Sequence, residues 1–167
     1  ALPTASINPL SPTFEGFDAL IYDSEEADGF EIGLKSNLFD NNMRINATYY
    51  KYEYTDLQVQ LFDASIIQFS TFNAGAVETE GFEADMLWYT DIEGLTLRGQ
   101  FAWTDAVNTG DFFNTSGVNL KGSERSYSPE IAGSLGLSYD SSLFSGWRYT
   151  FSTDARYSDD YAWGVYR

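Results

Sequence analysis

Nine charged side chains recur at alternate positions inside otherwise apolar runs: Glu31, Lys35, Arg44, Glu83, Asp85, Arg98, Arg148, Asp154 and Arg156. Gathered on one face of a sheet, such groups could line a polar path for a solute or contact a domain packed against them. They could also neutralise one another as a wet wall of hydrogen bonds and ion pairs, each worth little in water. The wall is the expectation for most of them. Trp103, Phe112 and Phe113 lie in or near a polar stretch. They could stack on a sugar or an aromatic iron chelate, or serve as loop packing and an aromatic girdle. Asp18, Asp23, Glu25, Glu26 and Asp28 form an acidic group with no basic residue nearby. Hard cations take such oxygen ligands, but a solvated loop is expected here.

Other chemistries find little support. The chain has no His and no Cys, so the commonest general base and thiolate metal ligands are missing. Glu78/Glu80 and Asp159/Asp160 are carboxylate pairs without any sign of the separated acid and base of a glycosidase. No nucleophile motif or phosphate loop occurs. Neither enzyme activity nor a cofactor is expected. A net charge of −16 argues against nucleic acid, whose binders need a basic face. The sequons at Asn46-Ala47-Thr48 and Asn114-Thr115-Ser116 are taken as chance matches.

The elements that would position these groups are strands. From residue 29 onward the apolar period is two. Strands are expected at about 29–39, from 43, at 76–90, 95–106, 127–139 and 147–158. In the second, Met43, Ile45, Ala47 and Tyr49 alternate with Arg44, Asn46 and Thr48, after which Tyr50, Tyr52 and Tyr54 fall on the even positions. A β-bulge near 49–56 would explain that slip. Residues 62–73 fit either a hairpin tip or a strand. Residues 1–27 read as a long acidic loop with three of the four prolines, and 107–125 as a long polar one. Connections alternate between short (39–42, 91–94, 140–146) and long (61–74, 107–125).

What covers the apolar face separates two readings. A membrane barrel meets lipid there, while a secreted β-sandwich covers it with a second sheet. No apolar run reaches the roughly 18–20 residues of a membrane helix. The alternation, however, persists for the 9–11 residues of a tilted membrane strand, against about five or six in soluble proteins. Aromatic residues make up 17% of the chain and gather toward strand ends, as interfacial girdles do. The short–long rhythm also matches outer-membrane barrels.

A run of motifs carries a family resemblance. Glu31-Ile32-Gly33-Leu34-Lys35 precedes a short turn, and an aromatic-rich strand ends at Asp56-Leu57-Gln58. Asn73-Ala74-Gly75 and Gly81-Phe82-Glu83 follow. In order and spacing over residues 25–106 this resembles the C-terminal barrel half of TonB-dependent outer-membrane receptors, with Asp56, Gln58, Asn73, Gly75, Gly81 and Glu83 as the motif residues. Residues 107–167 match by alternation only.

The resemblance implies an all-β, antiparallel transmembrane barrel of about 22 strands with a plugged lumen. This chain would be a fragment of six or seven strands, since it lacks the plug, the TonB-contacting box and a terminal aromatic. Residues 1–27 and 107–125 would be extracellular loops, 28–106 the best-matching hairpins and 126–160 further barrel strands. The implied function is TonB-dependent uptake across the bacterial outer membrane, most often of a ferric siderophore, otherwise of an oligosaccharide or cobalamin. The implied partners are outer-membrane lipid and lipopolysaccharide, the nutrient, and TonB through the missing N-terminal region. A glycan-binding or adhesive sandwich and a passive porin-like barrel stand as alternatives.

Overall fold

The computed structural model describes residues 22–63, 68–73, 75–113, 117–142 and 146–163. Most of the 1–27 loop, the Asn114 sequon, Ala74 and residues 164–167 fall outside them. The strands are β1 (Glu26–Leu38), β2 (Met43–Thr55), β3 (Gln58–Asp63), β4 (Gln68–Asn73), β5 (Val77–Tyr89), β6 (Leu95–Asn108), β7 (Ile131–Ser142) and β8 (Arg148–Ser158). Six form one antiparallel sheet in the order β1-β2-β5-β6-β7-β8, and β3 with β4 forms a separate ribbon.

Short turns lie at one end, called lower here, and long connections at the other. The β1–β2 turn holds Phe39, Asp40 and Asn41 at positive φ and closes with Asn42 N–H donating to Phe39 O at 3.0 Å. Asp and Asn tolerate that conformation better than most residues. In the β5–β6 turn Gly94 has φ +82°, and its carbonyl accepts from Asp140 N–H of β7 at 2.9 Å.

Directly opposed residues of an antiparallel pair project to the same side, so register defines the faces. One face carries the cross-strand row Ile32, Tyr49, Phe82, Trp103 and Ile131. Below it runs Leu34, Ala47, Ala84, Phe101, Gly133 and Tyr157. The other face carries Lys35, Asn46, Asp85, Gln100, Ser134 and Arg156 in a single row.

The expected bulge near 49–56 is absent. β2 pairs with β1 from Met43 to Thr55 and with β5 from Met43 to Tyr54 without a skipped residue. What changes is the environment, not the phase. Above Tyr49 the outward positions become charged, with Lys51, Glu53, Glu78, Glu80 and Asp105 on paired strands. Lys51 Nζ lies 2.9 Å from Glu78 and 3.6 Å from Glu80. Tyr50, Tyr52 and Tyr54 stand on the polar face.

Of residues 62–73, 62–63 end β3 and 68–73 form β4, while 64–67 lie outside the described residues. The strand expected at 127–139, β7, starts at Ile131 rather than 127, because Tyr127 sits at φ +63° and Pro129 follows. The acidic loop ends two residues early, since Glu26 and Ala27 already pair in β1.

The sandwich reading needs a second sheet over the apolar face, and the described residues contain none. Among the described residues, no strand outside the six packs on the sheet. Ile32 is 68% exposed, Leu135 69% and Phe151 58%. No side chain among the described residues is fully buried. A contiguous exposed apolar surface of this kind marks an interaction face, and none of the described strands covers it.

Candidate functional site

The polar face is built by alternation, which sends every second side chain of each strand to it. Asn46 donates through Nδ2 to both carboxylate oxygens of Asp85, at 3.0 Å each. Arg98 reaches from β6 toward Asp154 of β8, its Nη2 lying 4.0 Å from Oδ1. The intervening β7 residue is Gly136, and a Cβ there would overlap the Arg98 side chain. Glycine therefore lets the guanidinium lie flat along the wall. Lys35, Arg44, Arg148 and Arg156 make no ion pair among the described residues. Arg44 and Arg156 flank an open cavity of about 1170 Å³ along this face with Glu83, Asp85, Arg98 and Asp154. Glu31 stands opposite Tyr50.

Above these rows, four of the six motif residues meet in a joint. The register of β2–β5 continues unchanged into β3–β4, since Tyr54 pairs with Val77 and Gln58 with Asn73. Between those pairs stand Asp56 at φ +53° and Gly75 at φ +78°. The two chains thus turn through left-handed backbone at matching positions, and the ribbon leaves the sheet there. Asn73 fastens the joint, donating from Nδ2 to Asp56 O at 2.5 Å and to Asp23 O at 3.0 Å. Its Oδ1 accepts from Asp23 N–H at 2.7 Å. Gln58 N–H donates to the Glu25 carboxylate at 2.7 Å, so two of the acidic-loop residues are tied to the motif. Gly81 and Glu83 lie lower, on the polar face of β5, paired with Tyr50 and Thr48.

The stretch 107–125 is an ordered cap in its described part. Asn108, 6% exposed, donates N–H to Ser123 O at 2.9 Å and accepts from Gly122 N–H at 2.7 Å. Its side chain donates to Ser123 Oγ at 3.1 Å and accepts from Arg125 Nη1 at 3.4 Å. Phe112 and Leu120 are both buried, as are Val77 and Ala106, and Leu120 N–H donates to Phe112 O at 2.6 Å. Gly110 packs so closely on Gly75 that a Cβ would come within 2.5 Å of its Cα. The cap and the joint therefore brace each other.

The three aromatics named from the sequence are separated by this arrangement. Phe112 is buried in the cap, where its contacts are packing contacts. Trp103 sits on the apolar face between Phe82 and Ile131, and its indole N–H donates to Glu130 at 3.4 Å. Those positions fit the packing and girdle alternatives, and only Phe113 stands exposed on the cap. The nine charged residues all fall on the polar face, as alternation requires.

Residues that sequence reasoning missed include Asn108, the Tyr50–Tyr52–Tyr54 set, and a cluster of Tyr127, Tyr161 and Trp163. In that cluster the Tyr127 ring lies 6.1 Å from Tyr161 and 6.2 Å from Trp163. Alternate spacing in 50–54 was the available signal for the tyrosine set. Near that cluster a cavity of about 1040 Å³ is lined by Thr104, Asp105, Arg125, Tyr127, Glu130 and Asp160, among others.

Comparisons with known proteins agree with this architecture. The family described as TonB dependent receptor-like, beta-barrel matches residues 4–166. No curated protein matches significantly. Among solved structures, the FrpB iron transporter from Neisseria meningitidis (F3-3 variant) is similar, with a TM-score of 0.53 at 17% identity over 78% of this chain and 18% of that one. Its F5-1 variant in apoprotein form gives 0.50 at 20% identity, over 71% of this chain and 17% of that one. The likeness is one of fold, and the chain spans less than a fifth of either structure. With a single open sheet, two chemically opposed faces and a family match over nearly its whole length, the chain belongs to the TonB-dependent receptor-like β-barrel family.

Proposed function

We propose that this chain forms part of the wall of a bacterial outer-membrane receptor that takes up a scarce iron-containing nutrient. One observation carries the reading: strands of 11–14 residues in the main sheet hold an uncovered apolar face opposite a charged one. Such strands are long enough to cross the hydrocarbon layer, for which roughly 9–11 tilted residues suffice. Lipid would cover the apolar face. The aromatic rows at Tyr49, Phe82 and Trp103 and at Trp88 and Tyr139 would mark the two interfaces. Lys51, Glu78 and Glu80 would then stand at headgroup level, beside lipopolysaccharide.

Glu31, Lys35, Arg44, Glu83, Asp85, Arg98, Arg148, Asp154 and Arg156 would face the lumen. The cations without an ion pair there suit contact with a plug domain. The cap, the ribbon and residues 1–27 would lie outside the cell. Iron is favoured because both similar structures are of an iron transporter, and a ferric siderophore is the form the family resemblance suggests. Energy would come through TonB, and not from chemistry at any residue described here.

The test is uptake of radioactive iron from ferric chelates by iron-starved cells, with the gene for the full-length protein deleted and restored. Uptake should fall on deletion and should require functional TonB. Unchanged uptake on deletion, or uptake that survives loss of TonB, would overturn the reading.

A further inference from the structure

The β3–β4 ribbon is held in place by a segment to which the function proposed above gives no role. Among the described residues no other strand packs against the ribbon. Strand pairing stops at Tyr54–Val77 and resumes at Gln58–Asn73. Asp56 and Gly75, each in left-handed backbone, carry the two chains across that break. Hinges are built in this way, from a few residues at element ends that absorb changes of φ and ψ.

The two sides of the break are fastened to different things. On the wall side, the Ala76 carbonyl accepts from Thr109 N–H at 2.8 Å and from Gly110 N–H at 3.2 Å. The cap therefore pins the wall up to the pivot. On the ribbon side the fastening is a strap, residues 23–25 ahead of β1. Asp23 N–H donates to Asn73 Oδ1 at 2.7 Å, and the Asp23 carbonyl accepts from Asn73 Nδ2 at 3.0 Å. That carbonyl also accepts from Gln58 Nε2 at 3.1 Å, and Glu25 accepts from Gln58 N–H at 2.7 Å. The next residue, Glu26, already pairs with Thr55 on the wall side, so the strap bridges the pivot. All four strap bonds are exposed, and such bonds are each worth little net. Together they make a latch that can open, whereas a continuous ladder would make a weld.

The ribbon also has something to cover. Gln58, Val59 and Gln60 at its base line the cavity of about 1040 Å³, together with Ser126, Tyr127 and Tyr161 among others. A tilt at Asp56 and Gly75 moves the ribbon's share of that lining and leaves the rest in place. Resting on the uptake reading, we propose that the ribbon is a hinged flap on this cavity, latched by Asp23 and Glu25. The strap is the end of the connection before β1. A pull on that connection therefore frees the flap, which makes access to the cavity depend on a second segment of the chain.

The experiment uses the full-length receptor in outer membranes, with nitroxide labels on introduced cysteines, in a chain that has none of its own. Thr71→Cys/Lys121→Cys measures the ribbon against the cap by pulsed electron paramagnetic resonance. Glu53→Cys/Lys121→Cys measures the wall against the cap. With the latch intact both pairs should give one narrow distance. Asn73→Ala/Glu25→Ala removes the latch and should add a longer distance for the first pair while the second keeps its own. Glu25→Ala alone, which spares the Asn73 contacts, should add less of it. Access is read separately from the rate at which a maleimide-bearing polyethylene glycol reacts with Ser126→Cys on the cavity wall. That rate should rise about three- to tenfold without the latch, as the loss of a few weak bonds implies. An unchanged ribbon distance in the double variant overturns the hinge. A change in the wall pair also overturns it, because the damage then extends past the pivot. A moving ribbon with an unchanged maleimide rate overturns the flap. None of these readouts uses a nutrient, so a negative uptake result strikes the uptake reading and leaves the hinge to be decided by its own distances.

Discussion

The phenol oxygen of Tyr50 and the hydroxyl of Thr104 lie 3.1 Å apart although 54 residues separate them in sequence. Gly81 sits between them in the sheet, opposed to Tyr50 on one side and Thr104 on the other. Arg98, Gly136 and Asp154 repeat the arrangement on the neighbouring strands. In both cases a glycine on the middle strand lets a long side chain cross it and meet a partner two strands away.

Gly81→Ala should therefore destabilise the barrel by about 1–3 kcal/mol, the usual cost of overpacking. The added methyl meets the Tyr50 ring and the Trp103 carbonyl oxygen at 2.6 Å. Combining it with Tyr50→Ala should recover only part of the loss, because the carbonyl cannot move aside. Denaturant unfolding in lipid vesicles measures both. Equal stability of Gly81→Ala and wild type would disprove the close approach.

Leu135→Arg tests the assignment of faces. Leu135 lies midway along β7 on the apolar side and is 69% exposed, so lipid should surround it. An arginine at mid-depth should cost about 2–4 kcal/mol of folding in lipid. Gln100→Arg, on the polar face next to Ser134, should be nearly neutral. A reversal of the two results would mean that the faces are exchanged.

At the joint, Asn73→Ala removes three hydrogen bonds to Asp56 and Asp23. The joint is partly exposed, so the expected loss is about 1–2 kcal/mol and local. Limited proteolysis should cut the β3–β4 ribbon faster while global unfolding stays put. Gly75→Ala should act in the same direction, since a left-handed backbone costs an alanine about 1–2 kcal/mol. An undisturbed cleavage rate in both variants would show that the ribbon is held elsewhere.

The Arg98–Asp154 pair should contribute little. Both side chains are more than half exposed and the closest approach is 4.0 Å. A double-mutant cycle with Arg98→Ala and Asp154→Ala should give a coupling of about 0–1 kcal/mol, falling further with salt. A coupling well above that range would indicate a drier wall than the open sheet suggests.

Much of this was open to reading in the sequence. The period of two from Phe30 through Leu38 assigned each side chain of β1 to a face, and the nine charged residues fell on the polar side together. The joint was visible only as scattered motif residues. Asp56, Gln58, Asn73 and Gly75 gave no hint that two of them would oppose each other in left-handed backbone. The tyrosines of 50–54 were misread as a bulge, because a change from apolar to charged outward residues looks like a change of phase when the pairing is unknown. Phe112 left ligand stacking and loop packing both open in the sequence, and only the cap, which folds it inward beside residues 75 and 120, places it in a packed setting.

By itself, then, the sequence determined the strands of the main sheet and their two faces, because side-chain alternation is a local property of the pleat, while the family resemblance rested on the order and spacing of its motifs. The tertiary structure decided which residues meet across strands: Tyr50 with Thr104, Arg98 with Asp154, Asn73 with Asp23. Those meetings follow from register and from loops closing over tens of residues. They depend on backbone hydrogen bonding between distant segments, which leaves no periodic trace in the chain.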